Sequence, residues 1–129
     1  MSPVRTLVVE DHPRFKQLLL SALEKMGCQI IGQAADGLEA VQMAQELKPD
    51  LILLDLGLPK LNGIEVLKRI HELSPDSKVL VVTQDSSPEI ADAVLRFGAH
   101  GYLFKSDAAD LAVAVNTILQ GGQFSSCPR

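Results

Sequence analysis

Leu51-Ile52-Leu53-Leu54-Asp55 is an uninterrupted apolar run closed by a carboxylate and followed by Gly57 and Pro59. A run that apolar reads as a strand buried on both faces, which parallel sheets covered by helices require. Burying an unpaired charge is costly, so an acid directly after such a strand must stand at its mouth. The pattern recurs along the chain. Leu7-Val8-Val9 ends in Glu10 and Asp11, Val79-Leu80-Val81-Val82 ends in Thr83, and Tyr102-Leu103-Phe104 is followed by Lys105. If these runs are neighbouring parallel strands, three carboxylates, a hydroxyl and an ammonium meet along one edge of a sheet.

Helix-like stretches separate the strands. Pro13 suits a first helical position, where a missing N–H is no loss, and Phe15, Leu19, Ala22, Leu23 and Met26 recur at helical spacing until Gly27. Gln29 to Ala34 is a shorter strand with polar ends, as expected of an edge strand. Asp36 is the expected cap of a second helix with Glu39 as its capping-box partner, Ala40, Val41, Ala44 and Leu47 as its apolar face and Pro49 beyond its end. Ile64, Leu67 and Ile70 mark a third helix. Ser87 and Pro88 open a fourth, lined by Ile90, Ala93, Val94 and Phe97, and Asp107 is the expected cap of a fifth carrying Leu111, Val115, Ile118 and Leu119. Strands are expected over 4–9, 29–34, 50–54, 78–82 and 101–104. Five alternations of strand and helix predict an α/β fold, a flavodoxin-like doubly wound (βα)5 parallel sheet with strand order 2-1-3-4-5.

The chain has 129 residues, enough for one domain with a core. Its formal net charge of -4 speaks against an intrinsic nucleic-acid or acidic-membrane surface, and no apolar run approaches the roughly 20 residues of a membrane span. Cys28 and Cys127 make no disulfide framework and have no partner at zinc spacing, so a cytoplasmic location is expected. Cys28 reads as a small buried hydrophobe, and His12, His71 and His100 read as neither ligands nor bases. Lys60, Lys68 and Arg69 form a small basic patch that reads as a solvated face.

In the order 2-1-3-4-5, a ligand site is expected at the switch point between strands one and three, where Glu10, Asp11 and Asp55 fall. Two carboxylates 4 Å apart repel by roughly 4 kcal/mol at an effective dielectric near 20, so one must take a proton or a cation must neutralise them. An all-oxygen donor set favours a hard ion, and Mg²⁺ suits an open site of this kind. A carboxylate can also attack phosphorus. Asp55 is the best nucleophile candidate, with Lys105 and Thr83 placed to hold phosphoryl oxygens.

At this point a resemblance becomes specific. The acid pair Glu10-Asp11, Asp55 with Gly57-Leu58-Pro59 and Gly63, Thr83, and Tyr102 three residues before Lys105 resemble a response-regulator receiver domain of two-component signalling over essentially the whole chain. Residues 10–13, 98–103 and 121–126 resemble the NarL/FixJ-type subfamily, with a LuxR-type helix-turn-helix output. The resemblance implies phosphotransfer from a partner sensor histidine kinase to Asp55, with Mg²⁺ held by Glu10 or Asp11, Asp55 and the Gly57 backbone carbonyl. It implies a switch in which Thr83 and Tyr102 reorient, and a homodimer as a further partner state. Residues 1–120 are then the expected receiver domain and 121–129 the start of a linker to an output domain absent from this chain, through which alone DNA would be contacted; no membrane partner is expected. Two residues depart from the family pattern. Glu10 replaces the commoner Asp, and Gln84, after Thr83, is bulkier than the usual small residue and is expected to crowd the phosphoryl position. A phosphorylation-independent dimerisation module, a pseudo-receiver, is the alternative. A phosphatase of the haloacid-dehalogenase type fits less well, because Gly57 stands where its second acid would be.

Overall fold

The computed structural model describes residues 3–57, 62–84 and 87–126. Leu58, Pro59, Lys60 and Cys127, which the sequence reading singled out, lie outside the described residues. The elements are β1 (Arg5–Val9), α1 (Pro13–Lys25), β2 (Gln29–Ala34), α2 (Gly37–Leu47), β3 (Leu51–Leu54), α3 (Gly63–Leu73), β4 (Lys78–Thr83), α4 (Pro88–Arg96), β5 (Gly101–Phe104), α5 (Leu111–Leu119) and β6 (Phe124–Ser125). All strands are parallel, in the order β2-β1-β3-β4-β5-β6.

The period of two along each strand sorts its side chains into two apolar layers. Leu7, Val9, Ile52, Leu54, Val79, Val81 and Tyr102 share one layer with residues of α2, α3 and α4. Val8, Leu51, Leu53, Leu80, Val82 and Leu103 share the other with α1 and α5. Leu51 to Leu54 are at most 1% exposed, as a central strand clothed on both sides should be.

The helices start where their caps dictate. Asp36 Oδ1 accepts the Glu39 N–H (2.9 Å), while Glu39 Oε1 reaches back to the Ala35 N–H (3.2 Å). Ser87 Oγ accepts the Ile90 N–H (3.3 Å), with Pro88 in the first helical turn. Gly98, at φ +114, turns the chain after α4 in a conformation that L side chains rarely adopt.

Besides one-residue shifts that leave Val4 outside β1 and bring Thr83 into β4, the structure departs from the sequence reading at three places. Asp107 does not cap the last helix. Residues Lys105–Asp110 wind as a 3-10 turn, α5 begins at Leu111, and Asp107 sits inside that turn with non-helical angles. Asp50 lies outside β3 and spends its carboxylate on the Arg5 backbone N–H (2.9 Å). The third departure is β6. Within the stretch read as the start of a linker, Phe124 pairs with Gly101 and Ser125 with Tyr102, adding a sixth strand to the expected five. Ser126 extends the pairing, donating its N–H to the Tyr102 carbonyl (2.8 Å) and accepting the Phe104 N–H at Oγ (3.2 Å).

Candidate metal and phosphoacceptor site

Strand register builds the site. Val9 pairs with Leu54, so the next residues, Glu10 and Asp55, leave the sheet side by side, and the Asp55 N–H donates to the Val9 carbonyl (3.0 Å). Thr83 pairs with Phe104, which sends Lys105 out of the same edge. Glu10, Asp11 and Asp55 each offer a carboxylate oxygen, and these atoms lie within 4.8 Å of one another. Glu10 is wholly buried, Asp55 is 5% exposed and Asp11 is exposed.

Lys105 answers part of that charge. Its Nζ donates to Glu10 Oε2 (3.1 Å) and Asp55 Oδ2 (3.4 Å). Asp55 Oδ1 accepts the Gly57 N–H (3.0 Å), and Glu10 Oε2 also accepts the His12 N–H (3.0 Å). Glu10 Oε1, though 3.0 Å from the same ammonium, is buried and accepts no hydrogen bond from the described residues. Burial raises the Glu10 pKa above the usual carboxylate range; the His12 N–H and Lys105 pull it back, and the Asp55 charge pushes it up again. A buried carboxylate oxygen that is ion-paired but not hydrogen-bonded among the described residues, in a set of three carboxylates, fits a metal-ion site, and an all-oxygen set suits a hard cation.

Asp55 opens onto a cavity of about 320 Å³, lined also by Asp11, His12, Gly57, Thr83, Gln84 and Lys105. The expected site residues Asp11, Asp55, Gly57, Thr83 and Lys105 therefore share one hollow, with Glu10 buried beneath the ammonium. Tyr102 stands apart, fully buried in the layer of α4 and packed edge-on against Phe104 with ring centres 5.4 Å apart. Gln84 is exposed at the cavity, beside Asp55 rather than remote from it.

Comparison with known proteins places this geometry. The response regulator receiver domain family matches residues 6–116. The chain belongs to that family. The receiver is similar to the transcriptional regulatory protein LiaR of Bacillus subtilis, 37% identical over 120 residues, covering 92% of this chain and 57% of that protein. It is also similar to the response regulator GacA of Pseudomonas viridiflava, 33% identical over 125 residues, covering 95% of this chain and 58% of that protein. A LuxR-family two-component response regulator from Aurantimonas superposes with a TM-score of 0.89 at 32% identity, covering 95% of this chain and 89% of that one. The response regulator domain of Thermotoga maritima CheB gives 0.84 at 30% identity, covering 92% and 98%. The receiver's relatives are thus LuxR-family, NarL-type response regulators, and it spans about half the length of the curated relatives it matches.

Two site contributions escaped the sequence reading. His12, expected to be neither ligand nor base, places its backbone N–H on Glu10 and caps α1 through Nδ1, which accepts the Phe15 N–H (3.4 Å). Phe15, read only as a core position of α1, lies with its ring centre 4.8 Å from Lys105 Nζ. Helical periodicity could not have found that contact, because it joins positions 90 residues apart.

Proposed function

We propose that this receiver is a phospho-accepting switch in which Asp55 takes a phosphoryl group from a phosphohistidine of a sensor histidine kinase, in a Mg²⁺-dependent step. The observation that carries the reading is the meeting of the Glu10, Asp11 and Asp55 carboxylates with the Lys105 ammonium at one sheet edge. Glu10, Asp11, Asp55 and the Gly57 carbonyl would hold Mg²⁺, which when bound offsets negative charge on the phosphoryl oxygens.

The chain's own groups divide the remaining work. An Asp55 carboxylate oxygen forms the O–P bond as the donor's P–N bond breaks; the departing imidazole nitrogen keeps the electron pair and takes up a proton. Lys105, 3.4 Å from Asp55 Oδ2, is placed to follow the charge onto the phosphoryl group. Thr83, buried on the same cavity, offers its hydroxyl to a phosphoryl oxygen. Hydrolysis by water later regenerates the Asp55 carboxylate, so the group turns over on the protein itself. The added charge then biases a two-state surface in which Thr83 and Tyr102 are the switch residues. Transcriptional control through a DNA-binding domain beyond this chain, with a homodimer as one state, is the proposed output.

Intact-mass measurement after acetyl phosphate treatment, with and without Mg²⁺, tests the reading. Gain of one phosphoryl group by wild type with Mg²⁺, and none by Asp55→Asn, supports it. A second reading is favoured by Gln84, whose side chain shares the Asp55 cavity. If Gln84 closes that cavity to phosphoryl groups, wild type stays unmodified by acetyl phosphate and untouched by beryllofluoride, and the pseudo-receiver is the better account.

A further inference from the structure

Lys105 leaves β5 on a flexible four-carbon stem whose side chain is only 11% exposed. Among the described residues, three groups attract its ammonium: Glu10 at 3.0 Å, Asp55 at 3.4 Å, and the face of the Phe15 ring at 4.8 Å. The proposed step bears on both carboxylate contacts, since Asp55 becomes the acyl phosphate and Glu10 would also face the Mg²⁺ that the step requires. Of these three, the ring alone takes no part in that exchange of charge.

The ring is itself held in place. Pro13 and the His12 cap fix the first turn of α1, and the Phe15 N–H is the donor that His12 Nδ1 accepts. Four residues on, on the same helical stripe, Leu19 is 1% exposed in the core layer of α1 and α5, against which Phe15 also packs. Phe15 also lines a cavity of about 360 Å³ with His12, Gln84, Lys105 and Ser106. That cavity shares His12, Gln84 and Lys105 with the one onto which Asp55 opens.

We propose that Phe15 is a positioning residue for the phosphotransfer step, its ring face holding the Lys105 ammonium over the site while its carboxylate partners are being exchanged. The inference rests on the phospho-acceptor reading above. An ammonium on a free stem must be recruited by the incoming phosphoryl oxygens at the moment of transfer; one already held needs only a short displacement. The ring does this without competing for the proton or the metal, as a carboxylate would.

The test compares the full chain with Phe15→Leu, which keeps apolar bulk without the quadrupole, and Phe15→Tyr, which keeps the ring face. The rate of Asp55 phosphorylation by acetyl phosphate at saturating Mg²⁺ is followed by intact mass; a small donor excludes effects on kinase docking. The expected result is a rate about three- to tenfold lower in Phe15→Leu, restored in Phe15→Tyr, with melting temperatures close to wild type. In a Lys105→Met background, Phe15→Leu should have no further effect. An equal loss in both backgrounds, or none in either, overturns the proposal. A separate readout needs no phosphorylation: the Lys105 ε-methylene protons should lose a ring-current shift in Phe15→Leu. Absence of that shift in wild type sinks Phe15 alone, whereas wild type that shows the shift but takes no phosphoryl group overturns the phospho-acceptor reading and the positioning role with it.

Discussion

Removing the Lys105 ammonium should make the metal-free receiver's stability steeply pH-dependent. At 3.0 Å, its attraction to Glu10 is gross about 5–6 kcal/mol at an effective dielectric of 20, and desolvation offsets part of that. Because Glu10 is wholly buried, taking away its partner strands a charge, a change that costs about 3–5 kcal/mol. Glu10 can limit the loss by taking a proton. Its pKa is already raised by burial, so the folded state binds a proton more tightly than the unfolded chain does. Stability therefore falls as pH rises from the ordinary carboxylate value of 4.5 through the raised folded value. In Lys105→Met one of the influences lowering that pKa is gone, and the window extends upward. With Mg²⁺ chelated, Lys105→Met should lose about 3 kcal/mol at pH 8, roughly 10 °C in Tm, and only about 1 kcal/mol below pH 4.5, where Glu10 is neutral in both states. Adding Glu10→Gln should recover about 2 kcal/mol at pH 8, since no charge is then left buried. Urea denaturation of the four proteins across that pH range measures the cycle. Equal losses at both ends, with no rescue by Glu10→Gln, would refute the reasoning and assign Lys105 a packing role on Phe15.

Other outcomes follow from the same structure. Gly63→Ala should cost about 1–3 kcal/mol in chemical denaturation and slow acetyl phosphate labelling, because its Cβ would lie 2.6 Å from the backbone of Leu56, the residue between Asp55 and the Gly57 N–H that Asp55 accepts. His100 Nδ1 accepts the Val79 N–H (3.1 Å), and burial, then Lys78 and His71, lower its pKa below 6.5. The unfolded chain thus takes up a proton first, and stability should fall as pH drops below 6.5; His100→Asn should flatten that slope in thermal melts between pH 5 and 7. Ser126→Pro removes the N–H that bonds the Tyr102 carbonyl, so the Phe104 amide should exchange faster while β1 and β3 amides keep their protection, read by hydrogen-exchange mass spectrometry.

Much of this fold was legible because its central strands announce themselves. Leu51 to Leu54 and Val79 to Val82 are apolar on both faces, and only a sheet covered on both sides satisfies such a run. The caps at Asp36 and Ser87 were legible for a local reason, since their partners lie three residues away. Asp107 misled by the same local logic. It has the right type for a cap, but the chain leaving β5 must first wind through a 3-10 turn, so the helix starts four residues later. The sixth strand carried no usable signal: Phe124–Ser125 is two residues long after two glycines, and its pairing is set by β5. The strand-end acids were visible as candidates because charge after an apolar run is costly unless it faces an opening. The ring under Lys105 was not, because nothing within α1 distinguishes an aromatic that packs from one that also faces a cation.

The arrangement at Glu10 gives the reason a receiver would keep such a costly feature. A carboxylate buried at the end of a central strand, with one oxygen ion-paired to Lys105 but accepting no hydrogen bond from the described residues, lowers the stability of the resting fold. Replacing it with Gln would relieve that burden, and also remove a charge that a hard cation needs. The unsatisfied oxygen and the raised pKa are two consequences of one placement, and both should disappear together when Mg²⁺ binds. Titrating Mg²⁺ should therefore raise the melting temperature of wild type more at pH 8 than at pH 5, where proton and metal compete for the same carboxylate, and should raise that of Glu10→Gln far less. A stabilisation by Mg²⁺ that is equal at the two pH values and survives Glu10→Gln would mean that the cation is held by other groups and that the buried acid serves the fold alone.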